Sequence, residues 1–326
     1  MNKYLYHYTG LDTLFAILHW YKANKTSNCI QLKASCIYNM NDPKEMYVGY
    51  DVVKKCLSSY EVDNKVPLGL RLSEVYCNKD SEEECKEKYI LKERFVDSYT
   101  DVPYVVCFSK KRDYLPMWSL YGKGGNGVCL IFDYSKIIDF LITNNIKGKI
   151  GDVVYNSKPN QNFEMLLDAW YKDYLNDNNN SKPVCIKDKI RCLSHICEFL
   201  SPFVKYKDYR YEYETRIIYD IRDGRDAYDV LDEQITQTLN DLCQIRDTSK
   251  QFTMQQQIIT MCNLLNKGKQ VKPLLPYVFK QIGIECLCGL IVGPCVNYDI
   301  MQPIIDRELK SSDIKIKIQK SKIPYR

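Results

Sequence analysis

Runs with the apolar content or the alternation of β-strands lie at both ends of this chain and near its middle, with long helix-like stretches between them. Lys3 to Tyr8 opens the chain as a strand; Val105 to Ser109 and Gly127 to Asp133 follow in the middle; Leu287 to Gly293 and Ile314 to Ile318 close it. Strands this far apart can share a sheet only through non-local pairing. The spacing therefore predicts a single α+β domain over residues 1–326, with mainly helical insertions near 51–99, 160–203 and 229–282.

Several local signals refine this. Thr9 is expected to cap a helix whose apolar stripe is Leu11, Leu14, Phe15 and Leu18. Ile30 to Ser35 reads as a strand, and Asn39-Met40-Asn41-Asp42-Pro43 as a turn before another helix. Leu115 to Tyr121 reads as a short helix, joined to the Gly127 strand through Gly122, Gly124 and Gly125. From Tyr209 to Ile221 the alternation returns.

With 326 residues, 45% hydrophobic and 27% charged, the chain can bury a substantial core. No run approaches the roughly 18 apolar residues of a membrane span, so no membrane partner is expected. The stretch Met1-Asn2-Lys3-Tyr4-Leu5-Tyr6-His7 has no apolar signal core, which predicts a cytoplasmic protein. Fifteen scattered cysteines, an odd number, then read as reduced thiols. Cys286 with Cys288, and Cys192 with Cys197, lack the two-residue gap of a zinc knuckle, and His7, His19 and His195 are the only histidines, so no metal is expected. The net charge of +5 resides from Arg307 to Arg326, where seven basic residues face two acidic ones. The alternation Ile314-Lys315-Ile316-Lys317-Ile318 favours a lysine-protected edge strand there over a nucleic-acid patch.

Three patterns could carry chemistry, each with a plain alternative. His7, in Tyr6-His7-Tyr8-Thr9, ends a strand where a ligand-binding side chain is commonly presented; alternatively it is a core histidine bonded to backbone carbonyls. Trp118-Ser119-Leu120-Tyr121-Gly122 offers rings that stack on a flat heterocycle, or simply core aromatics before a turn. In Arg210-Tyr211-Glu212-Tyr213-Glu214-Thr215-Arg216, a strand would put Arg210, Glu212, Glu214 and Arg216 on one face, either as a solvated charge ladder or as a carboxylate held beside a ligand.

Taken with Lys33-Ala34-Ser35, Asn41-Asp42-Pro43, Glu45, Cys107-Phe108-Ser109 and Gly127-Val128-Cys129, these patterns resemble the bacterial and phage family of unknown function numbered 2971. Their order is similar to the His-Tyr-Glu branch of the ADP-ribosyltransferase fold, which includes nucleic-acid-modifying toxins and tRNA 2′-phosphotransferases. The resemblance implies a split β-sheet and NAD as a substrate. It implies catalytic roles for Glu214, Glu212, His7 and Tyr121, and NAD contacts from His7, Tyr8, Thr9, Asn41, Ser109, Trp118, Tyr121 and Arg216. The implied partners are a macromolecular acceptor, nucleic acid or protein, and an inhibitory protein, as for a toxin or phage-conflict effector. NAD hydrolysis, or a catalytically silent nucleotide-sensing or protein-binding module, are the alternatives. The chain lacks the Ser-Thr-Ser signature of arginine-modifying toxins and has no arginine near His7 of the phosphotransferase kind, which speaks against both of those activities.

Alkylating unfolded, unreduced protein should label all fifteen cysteines. A mass deficit of two or more labels would reveal a disulfide and contradict the reducing compartment.

Overall fold

The computed structural model of the chain describes residues 3–37, 40, 45–73, 103–146, 148–155, 161–177, 189, 196, 200–219 and 276–324. The elements begin with β1 (Tyr4–Thr9), α1 (Leu11–Ala23), β2 (Cys29–Cys36) and α2 (Glu45–Asp63). Next come β3 (Tyr104–Ser109), α3 (Leu115–Leu120), β4 (Val128–Asp133), α4 (Tyr134–Thr143), β5 (Gly148–Asp152), β6 (Val154–Tyr155) and α5 (Gln161–Asp177). β7 (Val204–Lys205), β8 (Glu214–Tyr219), β9 (Tyr277–Gly283), β10 (Leu287–Val292), α6 (Tyr298–Ser311) and β11 (Lys317–Lys320) complete the chain. Helices beside a mixed sheet make this an α+β arrangement.

The sheet forks at β3. Strands run in the order β11-β10-β4-β1-β3-β2-β9, and β8 pairs with β3 while carrying β5 on its other side. β8 takes one edge of β3 along its whole length, from Tyr104–Tyr219 to Ser109–Glu214. The other edge is shared: β1 meets it only through Tyr6–Ser109, and β2 only through Ser35–Val105 and Cys36–Tyr104. Each of those partners is fully paired away from β3, β1 to β4 over six residues and β2 to β9 over seven. The two half-sheets are therefore joined at one residue pair and diverge from it.

Period-2 burial fills both faces. Leu5, Phe108, Phe132, Leu130 and Ile217 point to one side, where Leu14, Ile17 and Leu18 of α1, Ile137 and Phe140 of α4, and Ile305 and Leu309 of α6 cover them. On the other side Tyr8, Cys129, Ile131 and Ile291 pack on Met117 and Trp118 of α3. A further apolar cluster lies apart from the sheet, where α2 and α5 enclose Val154 of β6 and Val204 of β7.

Some expectations need correcting. Thr9 is the last residue of β1, and Gly10, with extended backbone, takes the cap position of α1 instead. Residues Lys207–Glu212 form a 3-10 helix, and Tyr213 is left-handed at φ 47°, so the strand starts only at Glu214. Residues near 277–282 are strand, not helical insertion, because Val278 and Ile282 face the core while β2 supplies the hydrogen bonds. β5 reads Gly-Lys-Ile-Gly-Asp, with little intrinsic strand signal, and exists through its pairing with β8. β11 does lie at a sheet edge, parallel to β10, but it spans Lys317–Lys320 and not the expected Ile314 to Ile318. Most of the expected insertion near 51–99 beyond residue 73, and that from 229 to 275, lies outside the described residues. No helix among the described residues is long and apolar enough to cross a membrane.

Gly49 of α2 is where the helical cluster docks onto the segment leading to β7: a Cβ there would lie 2.5 Å from the Ser201 Cα, a backbone atom that cannot swing aside. Alanine is favoured over glycine by up to about 1 kcal/mol in a helix interior, but overpacking costs about 1–3 kcal/mol. Gly49→Ala should thus lower stability in urea denaturation; a variant as stable as the parent would show that this contact is slack.

Candidate functional site

The fork leaves the β3 edge between Val105 and Ser109 without a strand to pair with, and His7 fills the gap. Its Nδ1 lies 2.9 Å from the Cys107 carbonyl oxygen. A carbonyl can only accept, so Nδ1 carries the proton. Burial pushes the imidazole below its ordinary value, outweighing the Cys107 bond. The ring is then neutral at pH 7 and Nε2 is an acceptor.

A cavity of about 230 Å³ opens in the fork. His7, Tyr121, Glu212 and Glu214 all line it, with Ser35, Lys33 and Cys107 from the diverging strands. Tyr8 and Ser109 line it too. The Tyr8 hydroxyl donates to the Lys111 carbonyl at 2.8 Å and accepts from the Tyr114 amide at 3.0 Å, anchoring the following loop. Ser109 donates from Oγ to the Glu212 carbonyl at 2.6 Å, tying β3 to the 3-10 helix.

Helix α3 divides its aromatics by spacing. Met117 and Tyr121, four residues apart, share the cavity side. Trp118 is turned into the core, where its ring meets Tyr8 edge-on at 4.9 Å and its Nε1–H donates to Asp113 at 2.8 Å. Neither Trp118 nor Thr9 lines the cavity. Asn41 lies outside the described residues.

Below the cavity sits a buried ion cluster. Glu214 and Arg216, two apart on β8, face the same side; the guanidinium grips Glu214 with Nε at 2.9 Å from Oε1 and Nη2 at 2.9 Å from Oε2. Arg216 also donates to the Pro202 carbonyl at 2.6 Å, and it does not line the cavity. Glu212 reaches the cluster from the 3-10 helix, accepting from the Tyr121 hydroxyl at 2.5 Å and from Lys205 Nζ at 2.6 Å. Lys205 also approaches Glu214 at 3.4 Å. All four ionic side chains are 5% exposed or less. This rules out the solvated ladder; Arg210, expected on the same face, is exposed because its segment is not a strand.

The two carboxyls are driven apart. Burial alone would raise Glu214, but Arg216 first and Lys205 next hold it well below the carboxylate range, at about 2. Cys107 assists by hydrogen bonding, its own thiol pushed up by burial and by the Glu214 charge. Glu212 is raised above its ordinary value, by burial first and by Glu214 second, against the pull of Lys205 and Tyr121. Neighbouring carboxyls separated in this way suit one permanent anion and one group that exchanges a proton.

From the sequence, Lys205 and Tyr155 have no role assigned, and Cys107 enters only as part of the Cys107-Phe108-Ser109 pattern. Lys205 could have been found as the first charge after the apolar run Pro202-Phe203-Val204. Tyr155, whose hydroxyl accepts from the Glu214 amide at 2.7 Å, carries no such signal. Among the described residues the eight cysteines are free, and no three His, Cys, Asp or Glu side chains gather as a metal site.

A family model described as protein of unknown function (DUF2971) matches residues 117–217. That stretch carries Tyr121, Lys205, Glu212, Glu214 and Arg216, and the match supports a relation to this family of unknown function. No curated protein and no solved structure matches the chain.

Glu214 has a lowered folded-state value, so its contribution to stability is present above its ordinary 4.5 and is lost as pH falls towards about 2. The stability gap between the parent and Glu214→Gln should therefore shrink on acidification below 4.5. Urea denaturation at a series of pH values measures it, and a gap that stays constant would contradict the ion pairing described.

Proposed function

We propose that this cavity binds the nicotinamide–ribose half of NAD and that the chain transfers ADP-ribose to a macromolecular acceptor, nucleic acid or protein. The observation that carries the reading is that His7, Tyr121 and the Glu212–Glu214 pair, far apart in sequence, open on one cavity at a fork of the sheet. About 230 Å³ falls just short of the roughly 300–1,000 Å³ typical of small-molecule pockets, which fits part of a dinucleotide rather than all of it. Lys33, exposed at the rim, offers a cation to the pyrophosphate outside.

In this mechanism His7 accepts from a ribose hydroxyl through Nε2, and the Tyr121 ring packs on the nicotinamide. The bond between ribose C1′ and the nicotinamide nitrogen breaks with its electron pair leaving on nicotinamide, while the acceptor's nucleophile bonds to C1′. The permanent charge of Glu214 favours the oxocarbenium-like state. Glu212, with its raised proton affinity, takes the proton that the acceptor loses. Lys205, Arg216 and Cys107 are positioning residues, acting through the two carboxylates.

One observation favours a second reading, a nucleotide-binding module without turnover: both Glu214 oxygens are already engaged by Arg216. Nicotinamide release by the parent protein separates the two.

Glu214→Gln should lower nicotinamide release on the order of 100-fold or more while NAD binding changes little, as for one preorganised electrostatic group. Glu212→Gln should impair transfer to the acceptor more than NAD cleavage. Tyr121→Phe, which removes only the hydroxyl that Glu212 accepts from, tests the same site without deleting a buried charge. Full activity in a folded Glu214→Gln protein would show the catalytic acid to be misassigned.

A further inference from the structure

We propose that the acceptor is single-stranded nucleic acid, bound on the face made by residues 206–213 and 110–114 beside the cavity. Its role as acceptor rests on the ADP-ribosyl transfer reading; the binding surface stands on observations of its own. Tyr206 and Tyr213 are each 37% exposed, and Tyr209, Tyr211 and Tyr114 are half-buried around them. Lys111, Arg112, Lys207 and Arg210 are exposed in the same two segments, with Lys111 over the Tyr213 ring and Arg112 bonded to Gln319. Within the two segments the opposing charge is slight. Glu212 is buried, which leaves half-buried Asp113, held by Trp118, Ser321 and the Lys322 amide, and exposed Asp208 against four exposed cations. Rings interleaved with cations suit bases and phosphates together, whereas the centre of a protein-binding patch is depleted in charge.

Tyr213 gives the surface its direction. A left-handed backbone at φ 47° costs a non-glycine residue free energy, and here the Lys110 amide holds it by donating to the Tyr213 carbonyl at 2.8 Å. Across this turn Glu212 and Glu214 are both buried while the tyrosine between them is exposed. Its ring lies 6.2 Å from Tyr114, edge-on, with the Lys111 ammonium 4.3 Å from its centre. Tyr213 does not line the cavity, so a base stacked on it anchors the strand beside the site and leaves a neighbouring nucleotide to enter. The nucleophilic amine or hydroxyl of that nucleotide would bond to C1′ and give its proton to Glu212 as nicotinamide leaves.

The test is fluorescence anisotropy with labelled mixed-sequence DNA and RNA strands of about 20 nucleotides, longer than the roughly 4–16 that one single-strand-binding module covers. The parent protein should bind with strong salt dependence. Tyr213→Asn keeps a residue that tolerates the left-handed turn and removes the ring, and should weaken binding about 5- to 100-fold. Lys207→Gln with Arg210→Gln should reduce the salt slope by about 0.7 per cation. Lys172→Gln, on the exposed side of α5, should leave binding unchanged. No binding at low salt, parental affinity in Tyr213→Asn, or equal weakening in Lys172→Gln would each overturn the surface. Nicotinamide release, measured separately, reports on the NAD reading: its absence alongside specific strand binding defeats that reading and with it the acceptor role.

Discussion

Everything about this site follows from a sheet that cannot stay closed at β3. One edge of that strand is fully occupied by β8, and its other edge must serve both β1 and β2, which are committed to β4 and β9. The strands part after the single pair Tyr6–Ser109. A parted sheet leaves backbone groups in need of partners, and an unpaired buried carbonyl costs about as much as a lost hydrogen bond. His7 meets that need at Cys107, so the residue that repairs the fork also lines the cavity the fork creates.

The ion cluster obeys a similar economy of placement. Two carboxylates and two cations out of water gain little net stability, because desolvation offsets most of their attraction. What they supply is over-determined geometry. Glu214 has contacts from Arg216, Lys205 and Cys107 and cannot shift without losing one of these contacts, while Glu212 is held by Lys205 and Tyr121. Removing either carboxylate would leave buried cations behind, which is why hydroxyl-only changes are the cleaner probes here.

The helical cluster away from the sheet is tied to the same chemistry. Val204 is buried between α2 and α5, and Lys205 follows it directly. Tyr155 of β6, the parallel partner of β7, accepts from the Glu214 amide. Through these two short strands a part of the chain that would pass as a peripheral insertion helps set the position of both carboxylates.

Much of this was legible in the sequence alone. Alternating or continuous apolar runs marked β1, β3, β4 and β10, because burial on a sheet demands such patterns locally. Residue type also marked His7, Tyr121, Glu212 and Glu214 as groups able to do chemistry. Tertiary structure alone decided the rest. β5 has no strand pattern and depends on its neighbour; Tyr213 breaks what alternation presents as a continuous strand; Trp118 turns to the core while Tyr121, three residues on, faces the cavity. Lys205 of β7 is buried against Glu212 and Glu214, which come from other elements. Local patterns record which face of an element is buried, but not which distant side chains will share that burial, and here that sharing is what makes a site.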